Sequence, residues 1–167
     1  MKKINVLLLF VSLILCWGCS KNHVEPENFV KNKNVEAPKF SLKDVNGALY
    51  SFPLKNEKPT LIVFWASWCV PCVKEIPHVI ELQKKCGNKL EILGLSVDKD
   101  EEHLKKFVTE RNIPYKILLD TNAMTAKKYG YNATPYLVLV DSKNRVRFKT
   151  THIDQEFNTA LKTVLSE

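Results

Sequence analysis

The sequence predicts an α/β fold in which a mixed, mostly parallel central sheet is covered by helices. From Thr60 onward, apolar runs of strand length alternate with segments of helical periodicity. The run Leu61–Trp65 is apolar at every position, as a strand covered on both faces must be. A two-cysteine turn, Cys69-Val70-Pro71-Cys72, joins that run to a helix-patterned segment.

The chain has 167 residues, 45% of them hydrophobic and 26% charged, the balance of a globular domain large enough to bury a core. Its formal charge is +7, and Lys2 and Lys3 belong to a leader, which leaves about +5 on the remainder. The lysines are spread rather than clustered, so they describe a solvated surface and no nucleic-acid partner.

Met1-Lys2-Lys3 is basic, and Ile4–Leu15 is apolar apart from Asn5 and Ser12. That run is shorter than the ~20 residues of a transmembrane helix and reads as a secretory signal. Gly18-Cys19 resembles a bacterial lipoprotein processing site, which makes residues 1–19 a leader and Cys19 the lipidated residue. The alternative is an uncleaved N-terminal anchor. Either one places the domain in a bacterial cell envelope, membrane-anchored and facing the extracytoplasmic side. Residues 20–35 are polar and aperiodic, a flexible tether. The domain is then 36–167.

Ala37–Leu42 and Ala48–Phe52 flank Asn46-Gly47 and suggest a hairpin. Thr60–Trp65 is the central strand. Ile76, Val79, Ile80 and Leu82 continue a helical stripe to Gly87, a plausible stop, with Pro77 expected to kink it. Leu90–Val97 is a strand, and Glu101–Asn112 a helix capped by Asp100 with Leu104, Phe107 and Val108 inward and Pro114 beyond it. Tyr115–Leu119 is a strand and Asn122–Tyr129 a short helix ended by Gly130. Asn132-Ala133-Thr134-Pro135 opens the strand Tyr136–Val140. Arg145–Lys149 is an edge strand, and Asp154–Leu165 a closing helix.

Cys69 and Cys72 carry the chemistry. A helix N-terminus presents unpaired N–H groups and a partial positive charge, both of which favour thiolate over thiol. Cys69 at the turn is the candidate nucleophile, and Cys72, one turn inside, the resolving thiol. Zinc would need a second ligand pair at similar spacing, and Cys16, Cys19, Cys86 and the four scattered histidines supply none. A purely structural disulfide with so short a loop would stabilise little. Cys86 lies 14 residues past Cys72, about 21 Å along an unbroken helix, so it cannot join the pair. It reads as a small buried hydrophobe, with an intermolecular or regulatory thiol as the alternative.

Trp65-Ala66-Ser67-Trp68-Cys69-Val70-Pro71-Cys72 resembles the active site of the thioredoxin superfamily. The extension Cys-x-Pro-Cys-x-x-Glu-x-Pro, ending in Glu75 and Pro77, is most similar to the membrane-anchored TlpA/ResA-like thiol-disulfide oxidoreductases. The resemblance runs from about Glu36 to the C-terminus. It implies a thioredoxin fold with an N-terminal β-hairpin and a central strand–helix insertion. It also implies that Pro135 is cis and packed against the Cys69–Cys72 disulfide, with the Thr134 backbone offered to an extended substrate in the manner of strand addition. Trp68, Val70, Pro71 and Glu75 would support the site, and the redox-active disulfide would be the only redox group, with no other cofactor and no metal.

By the same resemblance the partners are protein disulfides, apocytochrome c among them, and a membrane thiol relay that donates electrons. Thioredoxins carry a buried Asp where Val63 stands, so the proton acceptor for Cys72 is unassigned; Asp98 and Lys99 lie in the neighbourhood of a Glu that some relatives use. Strong oxidants of the superfamily place a His beside the second cysteine. Pro71 carries no charge and no N–H, which argues for a reducing couple. The competing functions are an oxidase or isomerase of secreted proteins and, from another class, a Sco-like copper module using His152. A peroxidase is disfavoured because Pro-x-x-x-Thr/Ser-x-x-Cys does not precede Cys69.

Overall fold

The computed structural model describes residues 35–53 and 58–167. The expected leader (1–19) with Cys19, and residues 20–34 of the expected tether, lie outside the described residues. Among those described, no helix is long and apolar enough to cross a membrane.

Two antiparallel strands, β1 (Phe40–Lys43) and β2 (Leu49–Phe52), form the N-terminal hairpin. Its turn is longer than a two-residue Asn-Gly turn. The Asp44 carboxylate accepts the N–H groups of Asn46 and Ala48 at 2.8 and 3.0 Å, and Gly47 takes a φ of +85° that favours glycine.

The main sheet contains β3 (Thr60–Trp65), β4 (Glu91–Ser96), β5 (Lys116–Leu119), β6 (Tyr136–Val140) and β7 (Val146–Thr150) in the order β5-β4-β3-β6-β7. The β3–β4 and β4–β5 pairs are parallel, while β3–β6 and β6–β7 are antiparallel. The sheet is therefore mixed, as expected, with parallel pairs on one side of β3 and antiparallel pairs on the other. The short Asp141–Arg145 turn, closed by Asp141 N–H to Arg145 O at 3.0 Å, returns the chain antiparallel.

β3 is buried at all six positions, and alternation divides it between two cores. Leu61, Val63 and Trp65 face helices α1 (Val70–Cys86), α2 (Glu101–Glu110) and α4 (Gln155–Leu165) through Ile76, Val79, Leu104, Phe157 and Leu161. Ile62 and Phe64 face α3 (Met124–Lys128) and the hairpin through Tyr129, Phe40 and Phe52. Both edges are partly covered. Val45 N–H reaches Ile117 O at 3.2 Å beside β5, and Val146 N–H reaches Val35 O at 2.8 Å beside β7.

α1 stops where the sequence suggested: Gly87 has φ +52° and its N–H returns to Gln83 O. The helix runs through Pro77, whose ring nitrogen cannot donate to the carbonyl of Val73. α2 is capped by Asp100, whose carboxylate accepts His103 N–H at 2.9 Å. It ends at Glu110, earlier than expected, because Asn112 turns to φ +49° ahead of Pro114. Cys86 is half-buried and packs against the first core, and burial pushes its thiol up.

Candidate active site

The site lies where β3 and β4 end, at the carboxyl edge of the parallel part of the sheet. After Trp65 the chain turns through Ala66, Ser67 and Trp68, with Cys69 N–H donating to Ala66 O at 3.2 Å. Cys69 has extended φ and ψ of −86° and 103° and is the N-cap of α1. Its Sγ occupies the place of a capping oxygen, accepting the Cys72 N–H at 3.3 Å. Pro71 fits the first helical turn because a donor there has no intrahelical partner. No acidic side chain occupies that turn, so the positive end of the helix dipole is left to the sulfur.

Cys69 and Cys72 are joined by a disulfide with Cα atoms 5.2 Å apart. Both are nearly enclosed, at 6% and 2% exposure, while the flanking Trp68 and Val70 are 67% and 65% exposed. Exposed apolar side chains thus flank a recessed Cys69 sulfur.

Thr134–Pro135 is a cis peptide, and Pro135 is buried. The antiparallel register Phe64↔Tyr136 brings the 132–135 loop to the same end of the sheet as the Cys69 turn. Phe52–Pro53 is also cis, which the sequence did not signal.

Glu75 is not a surface charge. It is 8% exposed, and its Oε1 accepts the Ile153 N–H at 2.7 Å while Oε2 lies 3.3 Å from His78 Nδ1. It therefore ties α1, one turn beyond Cys72, to the connection between β7 and α4. A helical position three after Cys72 shares its inward face, a periodicity that could have exposed this role.

Val63 is buried in the same apolar cluster as Cys72, so no carboxylate stands there. Asp98 is buried too, at 3% exposure, and fully engaged. Its Oδ2 accepts Ser67 N–H at 2.9 Å and Ser96 Oγ–H at 2.6 Å, and its Oδ1 accepts Ser67 Oγ–H at 2.7 Å. Sequence reasoning placed Asp98 near the site without finding this pairing across 31 residues. A groove of about 390 Å³ beside it is lined by Trp68, Val97, Lys99, Asp100 and His103.

His152 Nε2 lies 3.3 Å from Asp154 Oδ2, and among the described residues no group of three or more His, Cys, Asp and Glu is placed to hold a metal ion. The arrangement is suited to a dithiol that closes and opens as a disulfide.

The family model described as Redoxin matches residues 32–165. The chain belongs to this family. Thiol-disulfide oxidoreductase ResA of Bacillus thuringiensis is 28% identical over 151 residues, spanning 87% of each chain. Thioredoxin-like protein YneN of Bacillus subtilis is 28% identical over 146 residues, spanning 86% of this chain and 85% of that one. Among solved structures, the thioredoxin domain of a thiol-disulfide oxidoreductase from Bacteroides vulgatus is 26% identical with a TM-score of 0.71, covering 79% of this chain and 97% of that one. A thiol:disulfide interchange protein DsbE from Chlorobium tepidum, 22% identical with a TM-score of 0.74 over 80% of this chain and 98% of that one, shares the fold. The protein is thus a thioredoxin-like redox enzyme of the thiol-disulfide oxidoreductase class.

Proposed function

We propose that the protein is an extracytoplasmic, membrane-tethered reductase of protein disulfides, with the haem-attachment thiols of apocytochromes c among its substrates. The observation that carries the redox reading is the Cys69–Cys72 pair at the N-terminus of α1, its outer sulfur held by the Cys72 N–H. The leader pattern and Gly18-Cys19 support the location, with Cys19 as the lipid attachment site. Similarity to TlpA/ResA-like proteins supports the substrate class.

In the reduced protein the Cys69 thiolate attacks one sulfur of the substrate disulfide. The S–S bond breaks, the other substrate sulfur leaves as a thiolate, and a mixed disulfide forms. Cys72, deprotonated, then attacks Cys69 Sγ and expels the first substrate sulfur. Two electrons have passed to the substrate, which takes up two protons as a dithiol, and the protein is left with the Cys69–Cys72 disulfide. A membrane-embedded dithiol reduces that disulfide again. Trp68, Val70 and Pro71 form the face on which the substrate lies, and the Thr134 main chain pairs with its extended backbone. Glu75 holds α1 in place behind the dithiol.

Cys72→Ser blocks the second step, so mixed disulfides accumulate on Cys69. Expressed in an envelope that makes c-type cytochromes, this variant is expected to trap proteins carrying Cys-x-x-Cys-His, released by reductant. Trapping of secreted proteins without that motif would assign it to general disulfide reduction or isomerisation instead. No trapped protein at all would overturn the reductase reading.

A further inference from the structure

The turn that carries Cys69 is held from outside its own strand and helix. Ser67, two residues before Cys69, gives both its N–H and its hydroxyl to the Asp98 carboxylate, at 2.9 and 2.7 Å. Asp98 is itself fixed at the end of β4, where its N–H donates to Ser96 Oγ at 3.0 Å and its Oδ2 accepts the Ser96 hydroxyl at 2.6 Å. Ser67, Ser96 and Asp98 are all buried, at 8%, 0% and 3% exposure, so these bonds are made away from water and each is costly to lose.

We propose that Asp98 is a positioning residue for the nucleophile: by gripping Ser67 it holds the turn so that Cys69 Sγ stays over the N-terminal N–H groups of α1. The contact it protects is the Cys72 N–H to Cys69 Sγ hydrogen bond, 3.3 Å in this disulfide state. A sulfur kept in that place is stabilised as thiolate; one allowed to swing away is not.

The sign of the effect separates this role from simple electrostatics. A buried carboxylate near a thiol raises the thiol pKa by repelling the thiolate. If Asp98 acted through its charge, removing the charge would lower the pKa of Cys69. If it acts by holding the turn, removing its acceptor capacity raises that pKa. The other charged groups of this region are Lys74 and Glu75 on α1 and Lys99, Asp100 and His103 at the start of α2; His152 and Asp154 follow β7. All are left unchanged by the two substitutions below.

The inference rests on Cys69 being the attacking thiol and on nothing else in the proposed function. The test is the pH profile of Cys69 alkylation by iodoacetamide in the reduced full chain, read on the Cys69 peptide by mass spectrometry, for wild type, Asp98→Asn and Ser67→Ala. Ser67→Ala changes no charge and keeps the Ser67 main-chain bond, so it stands in if Asp98→Asn does not fold. The rate at a pH below the wild-type Cys69 pKa is expected to fall about tenfold in Asp98→Asn and about threefold in Ser67→Ala, through a raised Cys69 pKa. Unchanged or faster alkylation in either folded variant overturns the proposal, including the case in which only thermal stability is lost. The wild-type pKa by itself tests whether Cys69 is the activated thiol, so failure of that reading is distinguishable from failure of the clamp.

Discussion

The Glu75 carboxylate accepts the main-chain N–H of Ile153 at 2.7 Å, joining the helix that bears both cysteines to the connection between β7 and α4. With the side chain only 11% exposed, water does not readily replace this bond. Glu75→Ala leaves the Ile153 N–H without that acceptor and is expected to cost about 1–3 kcal/mol, lowering the melting temperature by several degrees. Glu75→Gln keeps an acceptor and should recover most of the loss. Differential scanning calorimetry of the three proteins checks this; equal melting temperatures would contradict it.

Asp141 contributes to the resistance of the fold to acid. Burial alone raises its carboxyl pKa, but hydrogen bonds from Arg145 and Arg147 outweigh burial and hold it below the ordinary carboxylate value. A depressed folded pKa contributes stability that is present above about pH 4 and is lost as pH falls through the folded value. Asp141→Asn is expected to cost about 3 kcal/mol at pH 7, because Arg147, 3% exposed, loses this buried partner. The variant should also lose less further stability between about pH 4 and pH 2 than wild type. Urea unfolding across that range is the measurement.

Gly94 in β4 has no room for a side chain. A Cβ there would sit 2.7 Å from Ile117 Cδ1 and 3.1 Å from both Trp65 Nε1 and Tyr115 Cε2. Gly94→Ala should destabilise by about 1–3 kcal/mol through displaced core side chains. It should also shift the fluorescence of Trp65, whose ring lies 5.9 Å from that of Phe107. Unchanged stability and emission would show that Ile117 yields freely.

Pro71 is exposed between the cysteines and can be replaced without disturbing the core. Pro71→His places a cation-forming ring and a new N–H beside the dithiol, which stabilises the thiolate form. The reduction potential is expected to become less negative by tens of millivolts, each 30 mV corresponding to about 1.4 kcal/mol. A potential that stays or falls would show that this dipeptide does not set the couple.

Much of this site is local in sequence, and that part was legible. Strand, turn, dithiol and helix occupy the continuous stretch from Thr60 to Cys86, and Gly87 and Asp100 act as stop and cap because their roles depend on neighbouring residues. The Thr134–Pro135 cis bond was legible only through resemblance. What local pattern does not carry is pairing over distance. The bond from Ser67 to Asp98 spans 31 residues, and that from Ile153 to Glu75 spans 78. A polar residue that closes a tertiary contact looks, in sequence, like one facing water. The order of the strands is not written locally for the same reason: β6 inserts beside β3, far from its sequence neighbour β5.

In the proposed function the Cys69–Cys72 couple is a reductant. The most direct measurement is its equilibrium reduction potential, followed by tryptophan fluorescence in thiol–disulfide buffers, with exposed Trp68 next to the disulfide as reporter. A reductant is expected to lie near thioredoxin, at about −270 mV, and to require a reducing donor in the membrane. A value near about −120 mV, that of the strong periplasmic oxidant DsbA, would contradict it and make the protein an oxidant.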